Sequence, residues 1–122
     1  MVNKTVFICE DDKAIVEVMS LLLQELSAQV YLPKEYDSII VQVTKENPAC
    51  IIMDLSIGQI SGITLIKELR SHKTTAHIPI ILFSASADLE LEAQKMSINA
   101  ILKKPFEIND FKRVVSQYLA FT

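Results

Sequence analysis

The sequence predicts an α/β domain with a doubly wound, five-stranded parallel sheet and five helices. Two observations predict this fold class. Short, almost continuously apolar segments alternate with helical patterns along the 122 residues, and the central segments lack the alternating polarity of a sheet with one face in water. A hydrophobic content of 50% with 22% charged residues suits a single domain over residues 1–122.

Five segments have the apolar and β-branched composition of short strands. We place the strands at residues 5–9, 29–32, 50–53, 80–83 and 100–102. The segments between them are long enough for helices and contain no linker rich in proline, glycine or serine. Strands that alternate with helices in this way are typical of parallel crossover connections.

Helices follow from apolar residues at three- and four-residue spacing. The first helix has its apolar face in Ile15, Val18, Met19, Leu22 and Leu26, and the last helix in Ile108, Phe111, Val115 and Tyr118. A second helix over residues 36–46 is expected to stop before Pro48. A third is predicted over residues 62–71 with Ser61 as its N-cap, and a weaker fourth over residues 88–97.

Cysteine usage and charge exclude several classes of function. Cys9 and Cys50 lie inside apolar strand segments, which indicates buried thiols rather than a disulfide or a metal site. The net charge of −3, without a run of Lys or Arg, disfavours direct nucleic-acid binding. The sequence has neither an apolar stretch long enough to span a membrane nor a secretory signal, so we expect a cytoplasmic protein with no membrane contact.

Acidic residues follow two of the predicted strands. Glu10 and Asp11 come directly after residues 5–9, and Asp54 follows residues 50–53. If these strands are parallel neighbours, the three carboxylates converge at the sheet edge where open α/β sheets bind ligands. Crowded carboxylates raise one another's pKa unless a cation relieves them, so the cluster predicts a functional site. Asp12 suits the first turn of the first helix and is predicted to cap it.

Nucleotide-binding loops are absent from the sequence. There are only two glycines, Gly58 and Gly62, and neither the GxGxxG nor the GxxxxGK[ST] pattern occurs. Dinucleotide binding and P-loop chemistry are therefore disfavoured.

Four motifs in order resemble the receiver domain of two-component response regulators, including the chemotaxis-regulator type. They are VFICEDD at residues 6–12, IIMDL at 51–55, IILFSA at 80–85 and LKKPF at 102–106. Asp54 lies 43 residues after Asp11, 30 before Ser84 and 50 before Lys104, which agrees with the family spacing. The resemblance spans almost the whole chain and implies a flavodoxin-like fold with strand order 2-1-3-4-5.

The resemblance also implies a role for each site residue. Asp54 is the phosphoacceptor, because a carboxylate can act as the nucleophile in phosphoryl transfer. Hard oxygen ligands select Mg²⁺ or Mn²⁺, with Asp11 and Asp54 as direct ligands, Glu10 acting largely through water, and the backbone carbonyl of Ser56 completing the set. The Ser84 hydroxyl and the Lys104 ammonium contact the phosphoryl oxygens, and a cis Lys104-Pro105 peptide directs the lysine to them.

The chain departs from the receiver pattern in two places. The turn after Asp54 has Gly58 where receivers usually carry proline, which predicts a less rigid loop. Ile101 stands where the family often has an aromatic residue that moves inward with the switch hydroxyl, so the coupling between hydroxyl and aromatic is expected to be altered or absent.

The leading hypothesis is a stand-alone phosphoacceptor that receives its phosphoryl group from a histidine kinase or a phosphotransfer protein. No output domain is expected in this chain, so the effector is a separate protein unless the chain is a fragment of a larger regulator or hybrid kinase. A phosphorylation-dependent dimer is left open. Catalysis is limited to Mg²⁺-dependent self-phosphorylation and autodephosphorylation. A phosphorylation-independent interaction module is the alternative, and a small phosphatase is disfavoured because Ser56 stands where a second acid would be needed.

Overall fold

The computed structural model describes residues 4–119 and contains a five-stranded parallel sheet with a short antiparallel hairpin. The strands are β1 (Thr5–Cys9), β2 (Gln29–Tyr31), β3 (Cys50–Asp54), β4 (Ser56–Ile57), β5 (Ile60–Ser61), β6 (Ile80–Ser84) and β7 (Ala100–Lys103). The sheet order is β2-β1-β3-β6-β7, while β4 and β5 pair only with each other. With the hairpin set aside, the order is the predicted 2-1-3-4-5.

Five α-helices are present, as predicted, of which four connect strands and the fifth follows β7. They are α1 (Lys13–Glu25), α2 (Ile39–Glu46), α3 (Gly62–Ser71), α4 (Ala87–Ala93) and α5 (Ile108–Ser116). The side chain of Asp12 caps α1 by accepting hydrogen bonds from the amides of Ala14 and Ile15, and Ser61 caps α3 through the amide of Thr64. Both predicted capping roles are confirmed.

The sheet is covered on both faces, as its continuously apolar strands predict. All residues of β3 and β6 are buried. Buried residues that pack on one face with α1 and α5 include Ile8, Met19, Leu23, Ile52, Phe111 and Val115. Buried residues that pack on the other face with α2, α3 and α4 include Phe7, Val43, Ile51, Met53, Ile66, Leu69 and Ala93. Two apolar layers therefore hold the strands in place.

Two helices differ from their predicted bounds. Helix α2 begins at Ile39 rather than at residue 36, because the Gln42 side chain bonds the preceding loop through the amide of Lys34 at 2.9 Å and the carbonyl of Glu35 at 2.6 Å. The fourth helix, predicted over residues 88–97, is α-helical only from Ala87 to Ala93. A 3₁₀ turn over Gln94–Met96 follows it. Ser97, in the left-handed region at φ +59°, ends this segment.

Both cysteines are buried and free, as their strand positions predict. Burial raises the pKa of the Cys50 thiol to about 12 and that of Cys9 further still. Within residues 4–119, none of the helices combines the length and the apolar character that a membrane crossing needs.

Candidate functional site

Strand register brings the predicted site residues to one edge of the sheet. Strand β1 pairs with β3 from Val6 opposite Cys50 to Cys9 opposite Met53. Glu10 and Asp54 therefore leave neighbouring strands at the same level. Strand β6 continues the edge, with Asp54 opposite Phe83, and Ser84 lies opposite Lys103 of β7. The site lies at the carboxyl ends of the parallel strands, where ligands of open α/β sheets bind.

Three carboxylates form the centre of this edge. Glu10, Asp11 and Asp54 each offer an oxygen, and these oxygens lie within 4.8 Å of one another. Glu10 is 7% and Asp54 3% exposed, whereas Asp11 is exposed. The structure thus brings together the three acids that the sequence placed at the strand ends.

Glu10 has one satisfied and one unsatisfied oxygen. Its Oε1 accepts hydrogen bonds from the backbone amides of Asp11 at 3.0 Å and Asp12 at 3.1 Å. Its buried Oε2 has no hydrogen-bond partner among the described residues and lies 3.6 Å from Lys104 Nζ. Burial, together with the neighbouring Asp54, raises the pKa of Glu10 to about 7. A buried oxygen of this kind is an available cation ligand.

Lys104 supplies the positive charge of the site. Its Nζ donates a hydrogen bond to Asp54 Oδ2 at 3.0 Å and lies 4.7 Å from the centroid of the Phe83 ring. The Lys104-Pro105 peptide is cis, as the resemblance implies. Burial lowers the pKa of Lys104, but the hydrogen bond and the charges of Asp54 and Glu10 outweigh this effect and raise it.

Asp54 is held from both sides of its carboxylate. Oδ2 accepts from Lys104, and Oδ1 accepts from the backbone amide of Ser56 at 3.1 Å. Ser56 begins the hairpin beside the site, and the role of its carbonyl as a metal ligand stays a prediction. A cavity of about 210 Å³ lies over Asp54 and is also lined by Ser84, Ser86 and Lys104.

Ser84 is buried beside this cavity, and its hydroxyl forms hydrogen bonds with Ser86 rather than with Asp54 or Lys104. Its Oγ donates to the carbonyl of Ser86 at 3.2 Å and accepts from the amide of the same residue at 3.0 Å. Ile101, in β7, is half-buried and packs against the core on the α2 and α3 side of the sheet. Position 101 therefore carries an aliphatic side chain at the edge of this core and offers no aromatic ring to follow the hydroxyl.

The structure adds two residues that sequence reasoning did not assign to the site. Gly58 forms the hairpin turn, and a Cβ there would lie 3.3 Å from Asp11 Oδ2. Gly62 begins α3 directly beneath Asp54, and its amide donates to the carbonyl of Leu55 at 3.1 Å. The signals in the sequence were the chain's only two glycines, both within eight residues of Asp54.

The donor set suits a small divalent cation. Carboxylate oxygens without nearby nitrogen or sulfur are typical of Mg²⁺ or Mn²⁺ sites. Glu10 Oε2, which has no hydrogen-bond partner among the described residues but lies 3.6 Å from Lys104 Nζ, and the exposed Asp11 carboxylate both offer ligand atoms to a cation. The residues present therefore fit a Mg²⁺ ion, and a lysine beside a buried carboxylate fits the charge of a phosphoryl group.

Comparison with known proteins gives a consistent family match. Residues 6–116 match the family model for the response regulator receiver domain. Sporulation initiation phosphotransferase F of Bacillus subtilis is 23% identical, over 98% of this chain and 96% of that protein. The phosphate regulon transcriptional regulatory protein PhoB of Escherichia coli is 27% identical, over 84% of this chain and 46% of PhoB. The chain thus spans about half the length of PhoB.

Solved structures show the same fold. A putative response regulator from Chloroflexus aurantiacus has a TM-score of 0.86 at 26% identity and covers 98% of this chain and 99% of its own. The receiver domain of the sensor histidine kinase PA1611 from Pseudomonas aeruginosa has a TM-score of 0.84 at 20% identity, with 96% and 98% covered. That structure has a magnesium ion coordinated in its active site cleft.

Proposed function

Because the chain belongs to the family of response regulator receiver domains, we propose that it accepts a phosphoryl group on Asp54 in a Mg²⁺-dependent reaction. One observation carries this proposal. Asp54 lies buried between the two other acids of the cluster and Lys104, whose ammonium is 3.0 Å from its carboxylate. A nucleophile, a cation site and a fixed positive charge therefore meet beside one cavity.

The proposed step is an in-line displacement at phosphorus. An oxygen of the Asp54 carboxylate attacks the phosphorus of a phosphohistidine, the oxygen–phosphorus bond forms, and the phosphorus–nitrogen bond breaks. The leaving imidazole keeps the bonding electron pair and takes up a proton. Glu10, Asp11, Asp54 and the carbonyl of Ser56 would hold Mg²⁺, which when bound neutralises charge on the transferring group.

Lys104 and Ser84 act on the phosphorylated state. The Lys104 ammonium, already paired with Asp54, would pair with a phosphoryl oxygen instead. The Ser84 hydroxyl must turn away from Ser86 to reach the phosphoryl group. Ser86 Oγ accepts a hydrogen bond from the amide of Leu89 at 3.3 Å, so rotation of the Ser84 hydroxyl would change the contacts at the start of α4. The resulting population shift would alter partner binding without an aromatic residue at position 101.

The phosphoryl donor is proposed to be a histidine kinase or a histidine phosphotransfer protein in the cytoplasm. Beside the site, a groove of about 580 Å³ between α1 and the segment after Lys104 is lined mainly by apolar residues, among them Ile15, Val18, Pro105 and Phe106. An apolar groove next to a charged site suits contact with a protein donor. We further propose that residues 1–122 form one receiver domain that acts on a protein effector.

Incubation with acetyl phosphate tests the proposal directly. We expect intact-protein mass spectrometry to show a single phosphoryl adduct with Mg²⁺ and none with EDTA. The adduct should be lost in mild alkali, as acyl phosphates are. Absence of an adduct, together with failure of beryllium fluoride to bind, would instead support the phosphorylation-independent interaction module.

Asp11→Ala is expected to weaken Mg²⁺ binding by at least about 10-fold, because Mg²⁺ depends on one or two protein carboxylates. Isothermal titration calorimetry measures the change. Asp12→Asn is the matched control, since Asn keeps the cap of α1 and Asp12 is not part of the cluster. Equal affinity in Asp11→Ala and wild type would place the metal elsewhere.

Lys104→Ala is expected to leave Mg²⁺ binding intact, or to strengthen it, because the ammonium competes with the cation for Asp54 and Glu10. The response to phosphorylation should be lost. Amide chemical shifts of β6 and α4 on addition of beryllium fluoride measure that response. Lys103→Ala, which changes the exposed last residue of β7 directly before Lys104, is the control, and normal shifts in Lys104→Ala would remove this lysine from the mechanism.

Mg²⁺ affinity is expected to depend on pH near neutrality. Glu10 has a pKa of about 7 in the metal-free protein, and a cation binds its ionised form. Affinity should therefore fall by up to about 10-fold per pH unit as the pH drops below that value and level off above it. Titrations at pH 6, 7 and 8 test this, and Glu10→Gln should remove the dependence. A flat profile in the wild type would show that Glu10 does not take part.

A further inference from the structure

The turn of the β4–β5 hairpin lies against Asp11. Ile57 and Ile60 pair across it, so Gly58 and Gln59 form a two-residue turn with Gly58 at φ +58°. Such hairpin turns favour glycine where φ is positive. A Cβ at position 58 would meet Asp11 Oδ2 at 3.3 Å, which requires one of the two to give by a few tenths of an ångström.

Of these two groups, the hairpin is the better anchored. Ile57 is 2% exposed and belongs to the core, and Ser61 caps α3 through the amide of Thr64 at 3.4 Å. Gly62 follows at once and packs on the main chain of β3. Asp11 is exposed on the loop after β1, so a side chain at position 58 would displace its carboxylate rather than the hairpin.

We propose that Gly58 is a positioning residue for metal binding, because its lack of a side chain leaves the Asp11 carboxylate room to lie beside Glu10 and Asp54. The inference rests on the proposed function, since it requires Mg²⁺ in this cluster. Mg²⁺ demands near-ideal octahedral geometry, and groups that orient metal ligands typically change affinity by about 10- to 100-fold. Even a small shift of Asp11 is therefore costly.

The arrangement differs from that of receivers with proline at this place. Proline fixes φ near about −65°, whereas this turn needs φ +58° at position 58. Both the turn conformation of the hairpin and the space for the Asp11 carboxylate therefore depend on a residue without a Cβ at position 58.

Two substitutions separate contact with Asp11 from backbone strain. Gly58→Ala and Gly58→Asn both add a Cβ that faces Asp11, but Asn adopts positive φ far more readily than Ala. We expect the Kd for Mg²⁺, measured by titration calorimetry, to rise about 10-fold in both variants. Gln59→Ala, exposed in the same turn, should bind as the wild type does.

Thermal unfolding with and without Mg²⁺ gives a second readout that needs no phosphorylation. The rise in Tm on adding Mg²⁺ should shrink in Gly58→Asn, while the Tm of the metal-free protein stays close to that of the wild type. If Gly58→Ala does not fold, the Asn variant decides. If Gly58→Asn binds Mg²⁺ as tightly as the wild type, the inference is overturned and the proposed function stays intact. The same conclusion follows if only Gly58→Ala loses Mg²⁺ affinity. Failure of the wild type to bind Mg²⁺ overturns the metal part of the proposed function itself.

Discussion

Asp54→Asn is expected to abolish formation of the acyl phosphate while the domain stays folded. The amide of Asn is close to the carboxylate in shape, so its Oδ1 can still accept from the amide of Ser56, which is 3.1 Å away in the wild type. An amide oxygen is not a useful nucleophile toward phosphorus. The substitution also removes one of the three carboxylates of the cation cluster. The substitution therefore removes the chemistry without removing the local contacts.

Stability should change little in this variant, because two electrostatic effects oppose each other. Lys104 loses its ion pair with Asp54 but keeps its ion pair with Glu10, whose Oε2 lies 3.6 Å from Lys104 Nζ. Glu10 loses a neighbouring negative charge, which lowers its raised pKa toward the ordinary value. Circular dichroism and urea unfolding measure the balance, and we expect a difference of about 1 kcal/mol or less from the wild type.

Mass spectrometry after acetyl phosphate and Mg²⁺ decides the role of Asp54. Asp12→Asn, which changes an acid outside the cluster, should be labelled as the wild type is. A labelled Asp54→Asn protein would contradict the assignment of the nucleophile, and peptide mapping would then find the true acceptor. An unlabelled but unfolded variant is recognised by its circular dichroism, and Asp54→Glu, which retains the charge, then tests the position.

The features of the site that could be predicted are those that follow from strand ends. Apolar strands end in water, and parallel pairing sets their ends level, so Glu10 and Asp54 had to meet once β1 and β3 were neighbours. The motif resemblance placed Lys104, and the structure brings its ammonium 3.0 Å from Asp54. Local pattern and chain order were sufficient for these positions.

The hairpin could not be predicted, because its two strands of two residues each are too short to show a period. Its turn depends on φ +58° at Gly58, a backbone property that sequence pattern does not reveal. The start of α2 was missed for a similar reason. There the side chain of Gln42 satisfies backbone groups of Lys34 and Glu35, so the loop before Ile39 needs no helical hydrogen bonds.

Gly62→Ala is expected to cause the largest loss of stability among single substitutions near the site. A Cβ at position 62 would lie 2.7 Å from Leu55 Cα and would also clash with the backbone carbonyl oxygen of Asp54. Both neighbours are main-chain atoms of a buried segment, so neither can rotate away. Relief requires α3 to move off the end of β3, which opens the core around Ile63 and Ile66.

Two effects of alanine stabilise the protein, but their contribution to the free energy of unfolding is smaller than the cost of this clash. Alanine is favoured over glycine in a helix by about 1 kcal/mol, and it reduces the entropy of the unfolded chain by a similar amount. We nevertheless expect the free energy of unfolding to fall by about 3 kcal/mol or more, since a main-chain clash in a packed core must be relieved by separating elements. Urea unfolding followed by circular dichroism measures the difference.

Thr64→Ala is the matched control, because it adds alanine to the exposed face of the same helix and should be neutral or slightly stabilising. If α3 moves in Gly62→Ala, Asp54 moves with the chain beneath it, so any folded fraction should also be phosphorylated more slowly. Stability equal to that of the wild type would show that α3 separates from β3 without cost. In that case the close packing of Gly62 would not be what fixes the phosphoacceptor in place.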